Sequence, residues 1–425
     1  MNRLAEVHTL PNGVRVVCDP IPGLETAALC VVAGHGARSE DAPRSGWSHL
    51  LEHMVFKGAG ERSAQEIVEA IEGDGGQINA ATGYERTSYQ VRCLDGGLDL
   101  GSAVLADLVL APRLDGADLA REKQVVGQEI AEVADTPDDL VFELAQASAF
   151  AGQPLGRSIL GTTDSIGAAT PEALADWRAQ LYSADRLVIS AAGRVDEAAL
   201  LRLAERDFGA ARAAGAPVDE RPAEFKGGQS VQARALEQAN LVFLLPTVGV
   251  AHPDYFALRL FAEILGGGMA SRLFQEARER RGLAYAIDAY AETYADQGVL
   301  GVFAGCDAAD AAELAQVAAD QIARLGEDVT EAELARAKAQ LKGGLFMMRE
   351  SPLSRAEQAA AQVLLFGQTL GPDHLAAGIE AVSREDLARI GQGLSGAGRA
   401  AVAVLGPRRA GAAAKAFSRT LFGHA

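Results

Sequence analysis

His49, Glu52 and His53 stand within five positions of one another in GWSHLLEHMVFKG, residues 46–58, a stretch otherwise suited to a packed core helix. On a helix His49 and His53 are i and i+4. Their imidazoles then lie one above the other on one face, where both can reach a single metal ion. Glu52 is one turn from His49, so its carboxylate sits beside the same point in space. The order of residues reverses that of the HExxH zinc motif. A hydrolytic zinc site uses three protein ligands and keeps one position open for water, so two histidines leave one ligand to be found. The segment DLAREKQVVGQEIAEVAD offers Glu122 and Glu129, seven residues apart and hence two turns along one helix face, amid Val125, Val126 and Ile130. Either glutamate could close the site.

Such residues need a scaffold, and strands and helices alternate through the chain. TAALCVVAGHGARSE reads as a strand. GWSHLLEHMVFKG and SAQEIVEAIEGDGG read as helices, and QINAATGYERTSYQVRCL as a strand pair. LDLGSAVLADLVLAP and DLAREKQVVGQEIAEVAD return to helical spacing. The stretch AARAAGAPVDERPAEFKGG is poor in large apolar residues and holds Pro217 and Pro222, which marks a linker. Beyond it the plan recurs. ANLVFLLPTVGVAHPD, from 239, answers AALCVVAGHGARSEDA, from 27, at an offset of 212. SREDLARIGQGLSGAGRAAVAVLGP, from 383, answers TPEALADWRAQLYSADRLVISAAGRV, from 170, at 213. A nearly constant offset of this size implies an internal duplication into two homologous domains. We expect domains at 1–212 and 229–425 with a linker at 213–228.

The duplication supplies an internal control. The positions of His49, Glu52 and His53 correspond to Phe261, Ile264 and Leu265 in the second copy. The plain packing solution is available to this helix, and the first half does not use it.

Bulk properties narrow the function classes. The 425 residues fit two to four domains, and 48% hydrophobic and 23% charged residues are those of a globular protein. A net charge of −18 argues against nucleic acid or an anionic membrane as partner and is compatible with cationic ligands. Cys18, Cys30, Cys93 and Cys306 are scattered without a CxxC pair, so they read as buried thiols of a reducing compartment rather than a disulfide framework or cysteine zinc site. The start, MNRLAEVHTLPNGVRVVCDP, is expected to fold at once as a strand, an Asn-Gly turn and a strand, with no leader. No apolar run approaches membrane-spanning length. His8, His252, His374 and His424 have no partner motif.

Taken in order, HLLEHMVFKG, GGQINAATGYERTSYQ, REKQVVGQEIAEVADTPDDL and PLGRSILGT resemble the pitrilysin-type zinc peptidases. The likeness extends to LGGGMASRLFQEARERRGLAY in the second half. It is nearest the short-chain branch of mitochondrial processing peptidase beta subunits and their bacterial relatives. The resemblance implies a third ligand 76 residues after the second histidine, which is Glu129, so the ligand set would be His49, His53 and Glu129 around Zn2+. Glu122 would support the site from behind a ligand, and Glu52 would be the general base acting on a zinc-bound water. Asn79 and Ala80 would lie on an edge strand where the peptide substrate pairs by β-addition. Arg278 and Tyr285, which on their own read as a surface charge and a strand aromatic, would hold substrate and stabilise the tetrahedral intermediate. GGGMAS, at 266–271, would be a glycine-rich loop that lets backbone approach substrate. Ala59 departs mildly from the usual FKGT.

The expected fold is therefore α+β: two homologous α/β sandwiches, each an antiparallel-rich sheet with helices packed on it. The expected function is a zinc endopeptidase of unfolded or presequence-like peptides, in a bacterial cytoplasm. It would work inside a chamber enclosed by a homodimer or by pairing with a related subunit. The alternatives are a non-catalytic partner subunit of the same fold, against which the intact His49, Glu52, His53 and Glu129 count, and a zinc hydrolase of some other substrate.

Overall fold

A computed structural model of the chain describes residues 5–213 and 221–423. Of the expected linker, 214–220 lie outside the described residues, as does His424. The chain forms two compact units, and neither is one continuous stretch. Unit 1 comprises Met1–Ala131, Ser158–Glu220 and Phe346–Pro372; unit 2 comprises Glu132–Arg157, Arg221–Leu345 and Asp373–Ala425. Against a single cut between 212 and 229, residues 132–157 belong with the second half and 346–372 with the first.

The sheet of unit 1 has six strands: β1 (Val7–Thr9), β2 (Arg15–Pro20), β3 (Thr26–Ala33), β4 (Gln77–Thr82), β5 (Thr87–Leu94) and β6 (Leu187–Gly193). They are ordered β1-β2-β6-β3-β5-β4. Only β2 and β6 run parallel; every other neighbouring pair is antiparallel. The Asn-Gly turn expected near the start joins β1 to β2, with Gly13 at φ +102. The residues that alternate along β5, Tyr89, Val91 and Cys93, point into the main core.

Four helices built from the expected segments cover one face: α1 (Trp47–Val55), α2 (Ala64–Gly73), α3 (Leu98–Leu110) and α4 (Gly116–Asp135). Ser63 and Glu66 start α2 with a reciprocal capping box. The opposite face carries helix Pro352–Phe366, whose Ala356, Ala359, Ala360 and Val363 pack with Val17, Cys30, Val32, Val188 and Ala192.

In unit 2 the five strands are β7 (Gly228–Ala233), β8 (Gln238–Val248), β9 (Ala284–Thr293), β10 (Gln297–Asp307) and β11 (Ala401–Gly406), ordered β9-β10-β8-β11-β7. Here β7 and β11 form the one parallel pair. With β1 set aside, the order is that of unit 1 strand for strand, with the parallel pair in the same place. The duplication is thus written in the topology. Helix α5 (Pro137–Ala149) belongs to unit 2, where Phe142 stacks on Phe303 with ring centroids 5.3 Å apart. The helix at the corresponding place in the second repeat is Pro352–Phe366, in unit 1, so the two repeats have exchanged this helix. No helix among the described residues is long and apolar enough to cross a membrane.

Candidate metal centre

Helix α1 divides cleanly. Leu50, Leu51, Met54 and Val55 are wholly buried, a spacing that gives one apolar face. Burial of each such side chain contributes about 1.5–3 kcal/mol, which anchors the helix while the other face stays polar. His49, Glu52 and His53 occupy that other face and are each partly covered.

The entry to α1 is held from outside. Gly46 adopts φ +84, and a Cβ there would lie 2.4 Å from the Leu160 carbonyl oxygen, so only glycine fits. The N–H groups of Gly46 and Ser48 donate to the Glu40 carboxylate at 2.7 Å each. Glu40 is 3% exposed and acts as the helix's cap, satisfying N–H groups that the helix cannot satisfy itself. Trp177 Nε1 donates to Ser48 Oγ at 3.3 Å, and Trp47 Nε1 to the Ser165 carbonyl at 2.9 Å.

On α4, Leu119, Glu122 and Val126 face inward at i, i+3 and i+7. Val125 departs from the sequence reading: it is exposed, while Ile130 packs partly on the core. Glu122 and Glu129 share the inward stripe and end in different places. Glu129 meets both imidazoles. One carboxylate oxygen is 3.7 Å from His49 Nε2, and the other is 3.7 Å from His53 Nε2. One ligand atom from each of the three lies within 4.8 Å of the others. These separations are too long for hydrogen bonds. They approach the about 3.3 Å edge of a tetrahedron whose centre is about 2.0–2.1 Å from each ligand atom. The donor set therefore fits a zinc-sized ion.

Glu122 lies behind His53. Its Oε2 is 3.1 Å from His53 Nδ1 and its Oε1 is 2.8 Å from Lys57 Nζ. A carboxylate at Nδ1 fixes the proton there and leaves the Nε2 lone pair facing Glu129. His49 differs: its Nδ1 is buried with no hydrogen-bond partner among the described residues. Burial, and then the neighbouring His53, push the His49 imidazole down to about 4, which keeps it neutral and able to ligate at neutral pH. Burial raises the Glu52 carboxyl above the usual carboxylate range, with Thr82 and His53 pulling the other way.

The remaining predicted residues fall into two groups. Asn79 and Ala80 lie on β4, the edge of the unit 1 sheet, paired with Gln90 and Tyr89 of β5 on one side only. Arg278 and Tyr285 belong to unit 2. Arg278 is exposed on the π-type helix Phe274–Arg280, its guanidinium carbon 4.7 Å from the Phe274 ring centroid. Tyr285 is half-exposed on β9, its ring lying over Gly305, where a Cβ would come within 2.4 Å of the hydroxyl. In the glycine-rich loop Met269 is 75% exposed. Sequence reasoning missed Glu40, Lys57 and Thr82. Glu40 stands nine residues before His49 with no pattern linking it to the helix, and Lys57 looks like any surface lysine.

Residues 15–163 match the family model described as Insulinase (Peptidase family M16), and residues 168–341 the one described as Peptidase M16 inactive domain. A protein from Mycobacterium leprae named an uncharacterized zinc protease is 35% identical over 94% of this chain and 91% of its own length. A Bacillus subtilis protein of the same description is 34% identical over 89% of this chain and 92% of its own. Among solved structures, a protease from Helicobacter pylori superposes with a TM-score of 0.87 at 21% identity, over 95% of this chain and 99% of that one. A chain of Complex III2 from Candida albicans superposes with a TM-score of 0.82, also at 21% identity, over 95% and 96%. At that identity the two structures speak for the fold.

Proposed function

The chain belongs to peptidase family M16, and from that premise we propose that it is a zinc-dependent endopeptidase whose metal is held by His49, His53 and Glu129. The convergence of those three side chains on one point carries the reading. Zn2+ bound there supplies a Lewis acid that polarises the scissile carbonyl and makes water acidic enough to attack near neutral pH. Glu52, one helical turn from His49, takes the proton from the attacking water and returns it to the leaving amine. Its partly buried carboxylate has a raised affinity for that proton. Glu122 orients His53 and is not a ligand.

The edge strand β4, which carries Asn79 and Ala80, offers an extended peptide a strand to pair with, the Ala80 N–H exchanging its 2.9 Å bond to Asn79 Oδ1 for one to substrate. Only an unfolded chain can add as a strand, so the substrate class is unfolded or presequence-like oligopeptides. The −18 charge favours basic ones. Arg278 and Tyr285 are assigned to holding substrate and the tetrahedral intermediate. The catalytic work falls to the N-terminal half, and a homodimer, or a pairing with a related subunit, would enclose the chamber. The four cysteines are buried free thiols, consistent with a reducing compartment such as a bacterial cytoplasm.

Bound zinc and cleavage of an unfolded peptide, measured for wild type and Glu52→Gln, test the reading. Zinc retained with cleavage reduced by about 10²-fold or more in the variant is the expected result. A wild type that takes up no zinc points instead to a non-catalytic partner subunit.

A further inference from the structure

We propose that Lys57 is a positioning residue for the metal centre, acting through Glu122 to hold His53 in its ligating orientation. The inference rests on the zinc reading above and adds a residue that neither the motif nor the ligand set contains. Glu122 is almost fully buried, its side chain 7% exposed, and a buried carboxylate needs a partner on each oxygen. It has two. His53 Nδ1 donates to Oε2 at 3.1 Å, and Lys57 Nζ donates to Oε1 at 2.8 Å.

The chain is thus continuous: Lys57 to Glu122, Glu122 to His53, and the far nitrogen of His53 toward Glu129 at 3.7 Å. Lys57 can play this part because α1 stops where it does. The helix ends at Val55, and the Lys57 N–H closes a last bond to the Met54 carbonyl at 3.1 Å. Its ammonium is then carried onto Glu122 four residues beyond His53. The same short segment delivers both the ligand and the cation that steadies the ligand's orienting carboxylate.

Without Lys57, Oε1 becomes an unpaired buried acceptor, and the Glu122 carboxylate is no longer pinned from behind. It can turn to seek another donor and loosen its hold on Nδ1. His49 has no equivalent brace, since its Nδ1 lacks a partner among the described residues. The orientation of the ligand pair therefore depends on the His53 side. Partners of metal-bound histidines set affinity by about 10–100-fold, and Lys57 lies one link further out, so an effect of about tenfold is expected.

The test measures zinc affinity by competition with a chromogenic chelator, alongside the thermal midpoint of the metal-free protein. The proteins compared are wild type, Lys57→Met, Lys57→Arg, Glu122→Gln and the double variant Lys57→Met/Glu122→Gln. Lys57→Met should bind zinc about tenfold more weakly with little change in the metal-free midpoint, and Lys57→Arg should restore affinity to within about threefold. In the Glu122→Gln background Lys57→Met should have no further effect, because the link it acts through is already cut. Wild-type-like affinity in Lys57→Met, or an equal loss in both backgrounds, overturns the inference while leaving the zinc reading intact. A wild type that binds no zinc overturns both.

Discussion

Glu40 is the residue whose replacement should damage α1 most without touching the polar face. Glu40→Gln keeps the shape of the side chain but removes its charge and turns one acceptor into a donor. That donor would face either the Gly46 or the Ser48 N–H, both now 2.7 Å from a carboxylate oxygen. Hydrogen bonds to a charged group contribute about 1.5–3 kcal/mol each, and one is lost outright while the other weakens, so about 3 kcal/mol is at stake. In a unit of this size each kcal/mol moves the midpoint by about 2–4 °C, giving a fall of roughly 6–12 °C. The assay is favoured by the placement of the two tryptophans. Trp47 and Trp177 are the only ones in the chain, both belong to unit 1, and both hydrogen-bond around the start of α1. Intrinsic fluorescence therefore follows the unit that matters, independently of unit 2. Zinc affinity should fall as well, because His49 is the next residue after Ser48. A fluorescence midpoint within about 2 °C of wild type, with zinc affinity unchanged, would show that the capping carboxylate is dispensable and refute the argument.

Gly46→Ala should lower the same fluorescence midpoint by an amount equivalent to about 3 kcal/mol or more, since the new Cβ meets the Leu160 carbonyl at 2.4 Å in a left-handed conformation; a midpoint near wild type would show that the loop yields cheaply. Burial, with Arg186 adding to it, pushes the His35 imidazole down from 6.5 to about 4, so the unfolded chain binds the proton first. Stability is then complete above about pH 6.5 and is lost as pH falls toward 4, by about 3 kcal/mol from this group alone. His35→Asn should flatten that acid limb in denaturant titrations, and an unchanged slope between pH 6.5 and 4 would refute the assignment. Glu129→Gln should reduce zinc affinity by more than the about 10–100-fold expected of an outer partner, and more than Glu122→Gln does; the reverse ranking would exchange the roles of the two glutamates.

How much of this was legible in the sequence depends on whether the relevant physics is local. The helical spacing of His49, Glu52 and His53 is local, and α1 forms where the pattern placed it. The strand pair over 77–94 and the capped start of α2 are equally local. The choice between Glu122 and Glu129 is not. Residue chemistry left either able to close the site, because both lie on one stripe of α4. What separates them is tertiary placement, which brings one carboxylate to Nδ1 of His53 and the other between two Nε2 atoms. Family resemblance selected Glu129, whose two oxygens lie 3.7 Å from His49 Nε2 and His53 Nε2. Lys57 and Glu40 act through contacts across turns and loops, for which no periodicity exists. Helix α5 and helix Pro352–Phe366 were not among the elements expected from the sequence, and which sheet each covers does not follow from its own stripe of small apolar residues, which fits either.

The second copy shows why α1 needs its outside restraints. Helix Tyr255–Gly266 buries Phe261, Ile264 and Leu265 where α1 carries His49, Glu52 and His53, and each of those side chains is 3% exposed or less. At about 1.5–3 kcal/mol per buried side chain, α1 forgoes roughly 5–9 kcal/mol of anchoring that its counterpart has. The counterpart can do without a side-chain cap, and Asp254 at its start makes no capping hydrogen bond. Helix α1 cannot: it has Glu40 on two N–H groups, Trp177 on Ser48, and an entry closed by Gly46 against Leu160. The two helices descend from one plan and meet the same requirement, a fixed position on a sheet, by different means. Where the face is apolar, packing fixes it. Where the face must stay polar to hold a metal and a base, hydrogen bonds at the helix start supply the order that packing no longer can.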